Sequence, residues 1–188
     1  MDVTSPESVK EAFTQIEEKY GSVDVLVANA GITRDGLTMR MSDEDFTAVV
    51  ETNLTGAFRS AQRAISPMMK KRSGRVIFIG SVVGMLGSAG QVNYAATKSG
   101  LIGMARALAR EYGSRGLTFN VIAPGFVETD MTAELGDTLR ERYVAAIPLG
   151  RFCTPSEVAA VVKFIASPEA SYITGAVIPV DGGMGMGH

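Results

Sequence analysis

Three residues in the middle of this chain have the types and spacing to move a proton onto an oxygen: Ser81, Tyr94 and Lys98. Tyr94 and Lys98 are four apart in a stretch with helical spacing, and such positions lie one turn apart on one face, so the Lys98 ammonium falls beside the Tyr94 phenol. A phenol with an ordinary pKa of about 10 holds its proton too tightly near neutrality, and general acid–base catalysis works best with a pKa near the working pH. A fixed cation roughly 4–5 Å away, at an effective dielectric of about 20, favours phenolate by some 3–4 kcal/mol, or roughly a hundredfold to a thousandfold in the ionisation constant. On magnitude, Lys98 suffices. A phenol tuned in this way hands its proton to a carbonyl oxygen while hydride arrives at the carbon, with the Ser81 hydroxyl holding that oxygen by a hydrogen bond. That is the chemistry of carbonyl reduction. A Tyr and a Lys at this spacing also occur on many helices with no such role; the trio is made specific by Ser81, thirteen positions ahead of Tyr94 at the end of a β-type run.

The elements that must position these residues follow from periodicity. Ser5-Pro6 reads as N-cap and first helical residue, with Val9, Ala12, Phe13 and Ile16 at three-to-four spacing before Gly21 closes the helix. Residues 23–28 form a short apolar strand of the kind buried on both faces of a parallel sheet, leading into Asn29-Ala30-Gly31, where glycine lets backbone and ligand come close. Residues 42–71 read as one helical region interrupted near Asn53-Leu54-Thr55-Gly56, with Pro67 marking a bend or break near its far end. Asn53 is mildly unfavourable inside a helix, so its side chain either faces solvent or has a specific task. The basic turn Lys70-Lys71-Arg72-Ser73-Gly74-Arg75 leads to the strand at 75–79, a Gly-rich loop and a helix over 93–112. The small residues of that helix, among them Ala96, Gly100, Gly103 and Ala107, leave a smooth surface suited to subunit packing or to burial on the parent sheet. Residues 117–122 make a further strand ending in Ala123-Pro124-Gly125, Thr154-Pro155-Ser156-Glu157 matches a capping box opening a helix, and 172–180 give a final strand. Four strands alternating with helices predict an α/β fold with a doubly wound, Rossmann-like parallel sheet. Such sheets bind ligands beyond the carboxyl ends of their strands, where Ser81 and the loop after Pro124 fall.

At 188 residues the chain suits a single domain, burying roughly 70% of the surface it would expose unfolded. No apolar run approaches the ~18 residues of a membrane span, and the first residues carry no secretory signal, so a cytoplasmic location is expected. Cys153 is the only cysteine and His188 the only histidine, which argues against disulfides, multi-thiolate or His-clustered metal sites and Ser-His-Asp hydrolysis. No metal is expected, and Cys153 reads as a small apolar filler. A net charge of −2 and a pI near 5.5 give no general attraction to nucleic acid.

The segments Phe78-Ile79-Gly80-Ser81-Val82-Val83-Gly84, Asn93-Tyr94-Ala95-Ala96-Thr97-Lys98-Ser99-Gly100 and Ala123-Pro124-Gly125-Phe126-Val127-Glu128-Thr129-Asp130-Met131 together resemble the short-chain dehydrogenase/reductase family, in its 3-oxoacyl-[acyl-carrier-protein] reductase branch. The resemblance covers essentially the whole chain. The ending Val180-Asp181-Gly182-Gly183-Met184-Gly185-Met186-Gly187-His188 is similar to the mycobacterial and actinobacterial form, which acts on longer acyl chains on the way to mycolic acids. The resemblance implies NADPH-dependent reduction of a 3-oxoacyl group on acyl carrier protein, with NADP(H) as cofactor. Ser81, Tyr94 and Lys98 become catalytic, Ser81 also binds substrate, and Asn53 becomes a fourth catalytic residue holding a water that links Lys98 to solvent. Asn29, Ala30 and Gly31 border the adenosine half of the cofactor, Pro124 and Gly125 abut the nicotinamide, and Val127 with Thr129 grips its carboxamide, while Tyr94 and Lys98 also contact the cofactor. Arg72 and Arg115 match the basic patch that docks the acidic carrier near the active-site mouth, by Coulomb steering. Residues 131–150 become a mobile, partly helical lid over the acyl chain, and the long helices build a homotetramer. The tail after Asp181 reads as a segment that crosses to a neighbouring subunit.

The front of that fold is absent. The family's first strand and Gly-rich turn hold the cofactor pyrophosphate at a helix N-terminus, and a later strand selects the ribose 2′-phosphate. Gly84, Gly87 and Gly90 lie in the substrate loop instead. Asp2 and Val3 match the adenine-contacting pair that follows the third strand, so roughly sixty residues are expected to be missing, leaving a single incomplete Rossmann-like domain with residues 23–28 as an unpaired apolar edge. The alternatives are a sibling ketoreductase acting on a CoA thioester or another ketone, and a truncated non-catalytic fragment that joins oligomers of a longer relative.

Overall fold

In the computed structural model, which describes residues 1–129, 132 and 136–186, four strands form one parallel sheet. They are β1 (Val25–Ala28), β2 (Gly74–Ile79), β3 (Leu117–Pro124) and β4 (Val177–Val180), side by side in that order. The register sets Val25 opposite Arg75, Gly74 opposite Leu117 and Val121 opposite Val177. The helices are α1 (Pro6–Tyr20), α2 (Asp43–Val50), α3 (Gly56–Lys71), the short α4 (Val83–Leu86), α5 (Val92–Tyr112), α6 (Asp137–Ala145) and α7 (Pro155–Ala166).

Alternation along the strands divides the core in two. Val76, Phe78, Phe119 and Val121 point to one face, where Phe13 of α1, Met68 of α3 and Leu101 of α5 pack over them. Ile77 and Ile122 point to the other face and meet Ile165 of α7. Helices thus cover both faces, as a doubly wound sheet requires. All eight residues of β3 are buried, consistent with its central place. The expectation that the first strand is buried on both faces is corrected: among the described residues β1 has a neighbour on one side only, and Val25 and Val27 are each 39% exposed.

Local signals set most boundaries. Ser8 N–H donates to the N-cap Ser5 Oγ at 3.2 Å, Pro6 occupies the first helical position, and Gly21 at φ +82° ends α1. Glu157 accepts the Thr154 N–H at 2.8 Å and opens α7. The expected break in 42–71 is instead a π-helical turn, Glu51–Thr55, that joins α2 to α3 without interruption. A π turn takes up an extra residue and swings its side chains out of the α register, which here carries Asn53 into the interior. Pro67 lies inside α3 and does not end it; the helix runs to Lys71 and stops at Arg72, which adopts a left-handed conformation at φ +56°. Within the expected lid at 131–150, α6 is the helical part; residues 130, 131 and 133–135 lie outside the described residues, as do Gly187 and His188 of the tail.

Candidate active site

Ser81 stands just beyond β2. Gly80 carries the ladder on by donating to the Ile122 carbonyl at 2.7 Å, and a Cβ there would come within 2.6 Å of Val121 Cγ1, so only glycine lets the two strands run this close. Val82 N–H then donates to the Pro124 carbonyl at 2.9 Å as the chain turns into α4, and Ser81 Oγ accepts from Val83 N–H at 3.2 Å. That bond uses an oxygen lone pair and leaves the hydroxyl proton to donate elsewhere. Gly84 sits flush on α5, where a Cβ would lie 2.9 Å from Lys98 Cβ, and Ser99 Oγ donates to the Gly84 carbonyl.

Tyr94 occupies the first turn of α5. Buried Asn93 accepts the Tyr94 N–H at 2.7 Å and donates to the Arg34 carbonyl at 2.9 Å, and Gln91 donates to Asp35 Oδ2 at 2.8 Å. One turn on, Lys98 is only 4% exposed; its Nζ donates to the Ile79 carbonyl at 2.8 Å and lies 5.4 Å from the Tyr94 ring centroid. No carboxylate pairs with it among the described residues. Burial without a counter-charge disfavours the ammonium, and the Lys98 pKa falls to about 8.

The same burial corrects the expectation for Tyr94. Loss of hydration raises the phenol above its ordinary value, the Ser81 hydroxyl pulls it back down, and the Asp35 carboxylate adds a smaller push upward. Proximity of Lys98 was expected to make the phenol acidic. Desolvation outweighs it, because the ammonium is itself destabilised and is directed at a backbone carbonyl. The phenol therefore keeps its proton at neutral pH.

Asn53 neither faces solvent nor stands idle. It is 1% exposed, accepts the Ile32 N–H at 2.8 Å, donates to the Ile32 carbonyl at 3.0 Å and reaches Thr97 Oγ1 at 3.4 Å. A Cβ on Gly31 would lie 3.3 Å from Asn53 Oδ1 and 3.6 Å from Lys98 Nζ, so the end of the Asn29-Ala30-Gly31 turn, the π turn and α5 meet at one point. Val3 packs against Gly56 next to that turn, and the Asp2 carboxylate caps Thr4.

Beyond β3, Gly125 N–H donates to the Val180 carbonyl at 3.0 Å. The bridge between Val127 and Cys153 uses the groups of Phe126 and Glu128, which directs the Val127 N–H away from Cys153. That N–H meets no acceptor among the described residues, whereas the Val127 carbonyl takes the Thr132 hydroxyl at 2.7 Å. Thr129 joins the same turn, its N–H donating to Thr132 Oγ1 at 2.9 Å. Nearby, Phe126 stacks on Tyr143 of α6, and a cavity of about 480 Å³ opens between Ile147, Leu149, Cys153, Asp181 and Met186. Cys153 is half-buried and lines this space rather than filling the core; burial and Glu157 raise its pKa.

Ser81, Tyr94, Lys98, Asn53, Gly31, Pro124, Gly125 and Val127 thus gather at the carboxyl ends of the strands. Arg72 and Arg115 do not. Each immediately precedes a strand, so both lie at the amino end of the sheet, where Arg72 donates to the Ser114 carbonyl at 3.0 Å. The expectation that they flank the active-site mouth does not hold within one chain, because β2 runs its full length between Arg72 and Ser81. Sequence reasoning missed Thr97, Gln91 with Asp35, and the Ile79 carbonyl. Thr97 might have been marked by its place between Tyr94 and Lys98; the others carry no local signal.

The profile of a family described as enoyl-(acyl carrier protein) reductase matches residues 1–185. A 3-oxoacyl-[acyl-carrier-protein] reductase MabA of Mycobacterium avium is 55% identical over 187 residues, spanning 100% of this chain and 73% of that protein. Similarly named reductases, FabG of Vibrio cholerae and FabG of Escherichia coli, are each 53% identical over 186 residues, 99% of this chain and 76% of theirs. No helix among the described residues is long and apolar enough to cross a membrane.

Proposed function

The chain belongs to the short-chain dehydrogenase/reductase family, and on that premise we propose that it reduces a 3-oxoacyl thioester on acyl carrier protein to the 3-hydroxyacyl thioester, with NADPH, in fatty acid elongation. The observation that carries this reading is the convergence of the Ser81 hydroxyl, the protonated Tyr94 phenol and the buried Lys98 at one end of the sheet. Ser81 and Tyr94 are both suited to one carbonyl oxygen, which favours a ketone over the carbon–carbon double bond that the family profile's description names.

The residues present fit the nicotinamide end of the cofactor: the Val127 N–H, without an acceptor among the described residues, and the Thr129 hydroxyl suit a carboxamide, and the Pro124-Gly125 turn lies beside them. When bound, the nicotinamide supplies a hydride to the ketone carbon. Tyr94 Oη gives its proton to the ketone oxygen, and Ser81 Oγ donates a second hydrogen bond to it. Lys98, with a pKa of about 8, can take up and release a proton near neutrality and so reload Tyr94. Asn53 holds Ile32, and through it the wall beside Lys98. The same reading takes α6 and its flanks as a substrate lid, and the exposed Phe58, Val92 and Gly103 on α3 and α5 as a homotetramer surface. It takes Arg72 and Arg115 as a contact for the acidic carrier at the far end of the sheet, and the cytoplasm as the compartment.

The test is NADPH consumption by the purified chain with a 3-oxoacyl thioester on carrier protein, beside the CoA thioester and a 2-enoyl thioester. Turnover of the 3-oxoacyl carrier substrate supports the reading; turnover of the 2-enoyl thioester alone overturns it, and preference for CoA moves it to a sibling ketoreductase. One observation favours a second reading: among the described residues no Gly-rich strand-to-helix turn offers amides to a pyrophosphate. A chain inactive alone that alters the rate of a longer relative when mixed with it would be a non-catalytic partner.

A further inference from the structure

The tail after β4 is folded by one carboxylate. Asp181, 9% exposed, accepts the Gly183 N–H on Oδ1 at 3.0 Å and the Gly185 N–H on Oδ2 at 2.7 Å. Two glycines of this turn have positive φ, +65° at Gly182 and +91° at Gly183. A Cβ would lie 2.7 Å from Ile147 Cγ2 at Gly182, 3.0 Å from Pro148 Cγ at Gly183, and 2.8 Å from Asp181 Oδ2 and 3.1 Å from Val82 Cγ2 at Gly185, so each is tightly packed. Leu149 N–H donates to the Gly182 carbonyl at 3.2 Å. One side of the turn therefore bears on residues 147–149, where the chain leaves α6, and its other side bears on Val82 and Met85, directly behind Ser81. Neither contact was predicted from the sequence.

We infer that Asp181 is a positioning residue, whose carboxylate folds residues 181–186 into a strap that ties the base of the α6 segment to α4 and so fixes the Ser81 hydroxyl. The inference rests on the reductase reading for its meaning, since a held Ser81 matters only if Ser81 meets a carbonyl oxygen. The physical reason is direct. Val83 N–H donates to Ser81 Oγ, Val82 carries the strap on its side chain, and the strap keeps its shape only while both carboxylate oxygens are engaged. The Asp181 main chain also abuts Gly125, but this contact involves Cα, Cβ and O and survives a change of the carboxylate alone.

The test compares the wild-type chain, Asp181→Asn and Gly185→Ala by amide hydrogen exchange, which needs no turnover and so separates failure of this inference from failure of the reductase reading. Asn keeps the volume but offers one acceptor oxygen; Gly185→Ala keeps the carboxylate's charge and wedges a methyl between Asp181 Oδ2 and Val82 Cγ2, pushing on both. Both are expected to speed exchange at residues 83–86 and 147–149 by about tenfold or more, with α1 and α3 unchanged. Faster exchange confined to residues 183–186 would overturn the inference, as would unchanged exchange at 83–86 in Gly185→Ala. Where the chain turns over a 3-oxoacyl thioester, both variants should lower kcat with NADPH affinity unchanged, and Asp181→Glu should restore neither kcat nor slow exchange, because its longer arm cannot serve both amides. Equal loss of NADPH affinity would show a general loosening and overturn the inference.

Discussion

The two ends of the sheet handle charge differently. At the carboxyl end Lys98 is buried, pairs with no carboxylate among the described residues and donates to the Ile79 carbonyl. At the amino end Arg72 and Arg115 sit on the surface, and Lys71 pairs with Asp24 at 2.9 Å with both side chains exposed. A charge in water costs little and contributes little to stability, so the amino end can influence only how partners approach. A charge taken out of water alters its own proton affinity and those of its neighbours, which is what proton transfer requires. The carboxyl end thus gives up stability for groups of shifted proton affinity, while the basic end does not.

The strongest test of this contrast is Tyr94→Phe. Turnover should drop by roughly 10²–10⁴, the range of general acid–base catalysis, with the melting curve unchanged; a rate within tenfold of wild type would show that the phenol is not the acid. Lys98 comes next. A lysine lowered from 10.5 to about 8 binds fewer protons when folded than unfolded throughout that interval. Stability should therefore rise as pH climbs from about 8 to about 10.5, by up to about 3 kcal/mol, and Lys98→Met should flatten the slope. Denaturant titrations at stepped pH read this as the wild-type slope minus the Lys98→Met slope, and a difference of the opposite sign would contradict a buried ammonium. Asn53→Ala leaves the Ile32 N–H and carbonyl without partners, and unfolding titrations should show a loss of about 1–3 kcal/mol. The smallest effect belongs to the other end: Arg115→Ala should leave stability within about 0.5 kcal/mol and slow association with an acidic carrier a few-fold at low salt. Stopped-flow association should show that difference vanishing at high salt.

What could be read from the sequence was what short-range rules govern. Ser5-Pro6 and Thr154-Pro155-Ser156-Glu157 named helix starts because caps are local, and the strands at 75–79 and 117–122 were marked by β-type runs, the first mostly apolar and the second alternating with Thr118 and Asn120. The site was legible for the same reason: Tyr94 and Lys98 share one helix turn, and Ser81 ends the strand before it. The π turn was not, since Glu51–Thr55 differs from an α turn by one residue of register that only tertiary packing rewards. Nor was the raised phenol, because i and i+4 spacing gives a distance but not the dielectric around it. Arg72 lies nine positions from Ser81 along the chain, yet a parallel strand carries the chain across the molecule, so closeness in sequence misled about closeness in space.

The outer rim of β1 has a consequence for handling the protein. Among the described residues its outer edge pairs with no strand, and with Val25 and Val27 half-bare it offers a seam that a second molecule can zip onto, a pairing that is second order in protein. Doubling the amount in solution quadruples encounters between seams. Dilution, more than cooling, is what keeps the molecules apart, and scattered light that grows faster than linearly with loading is its signature.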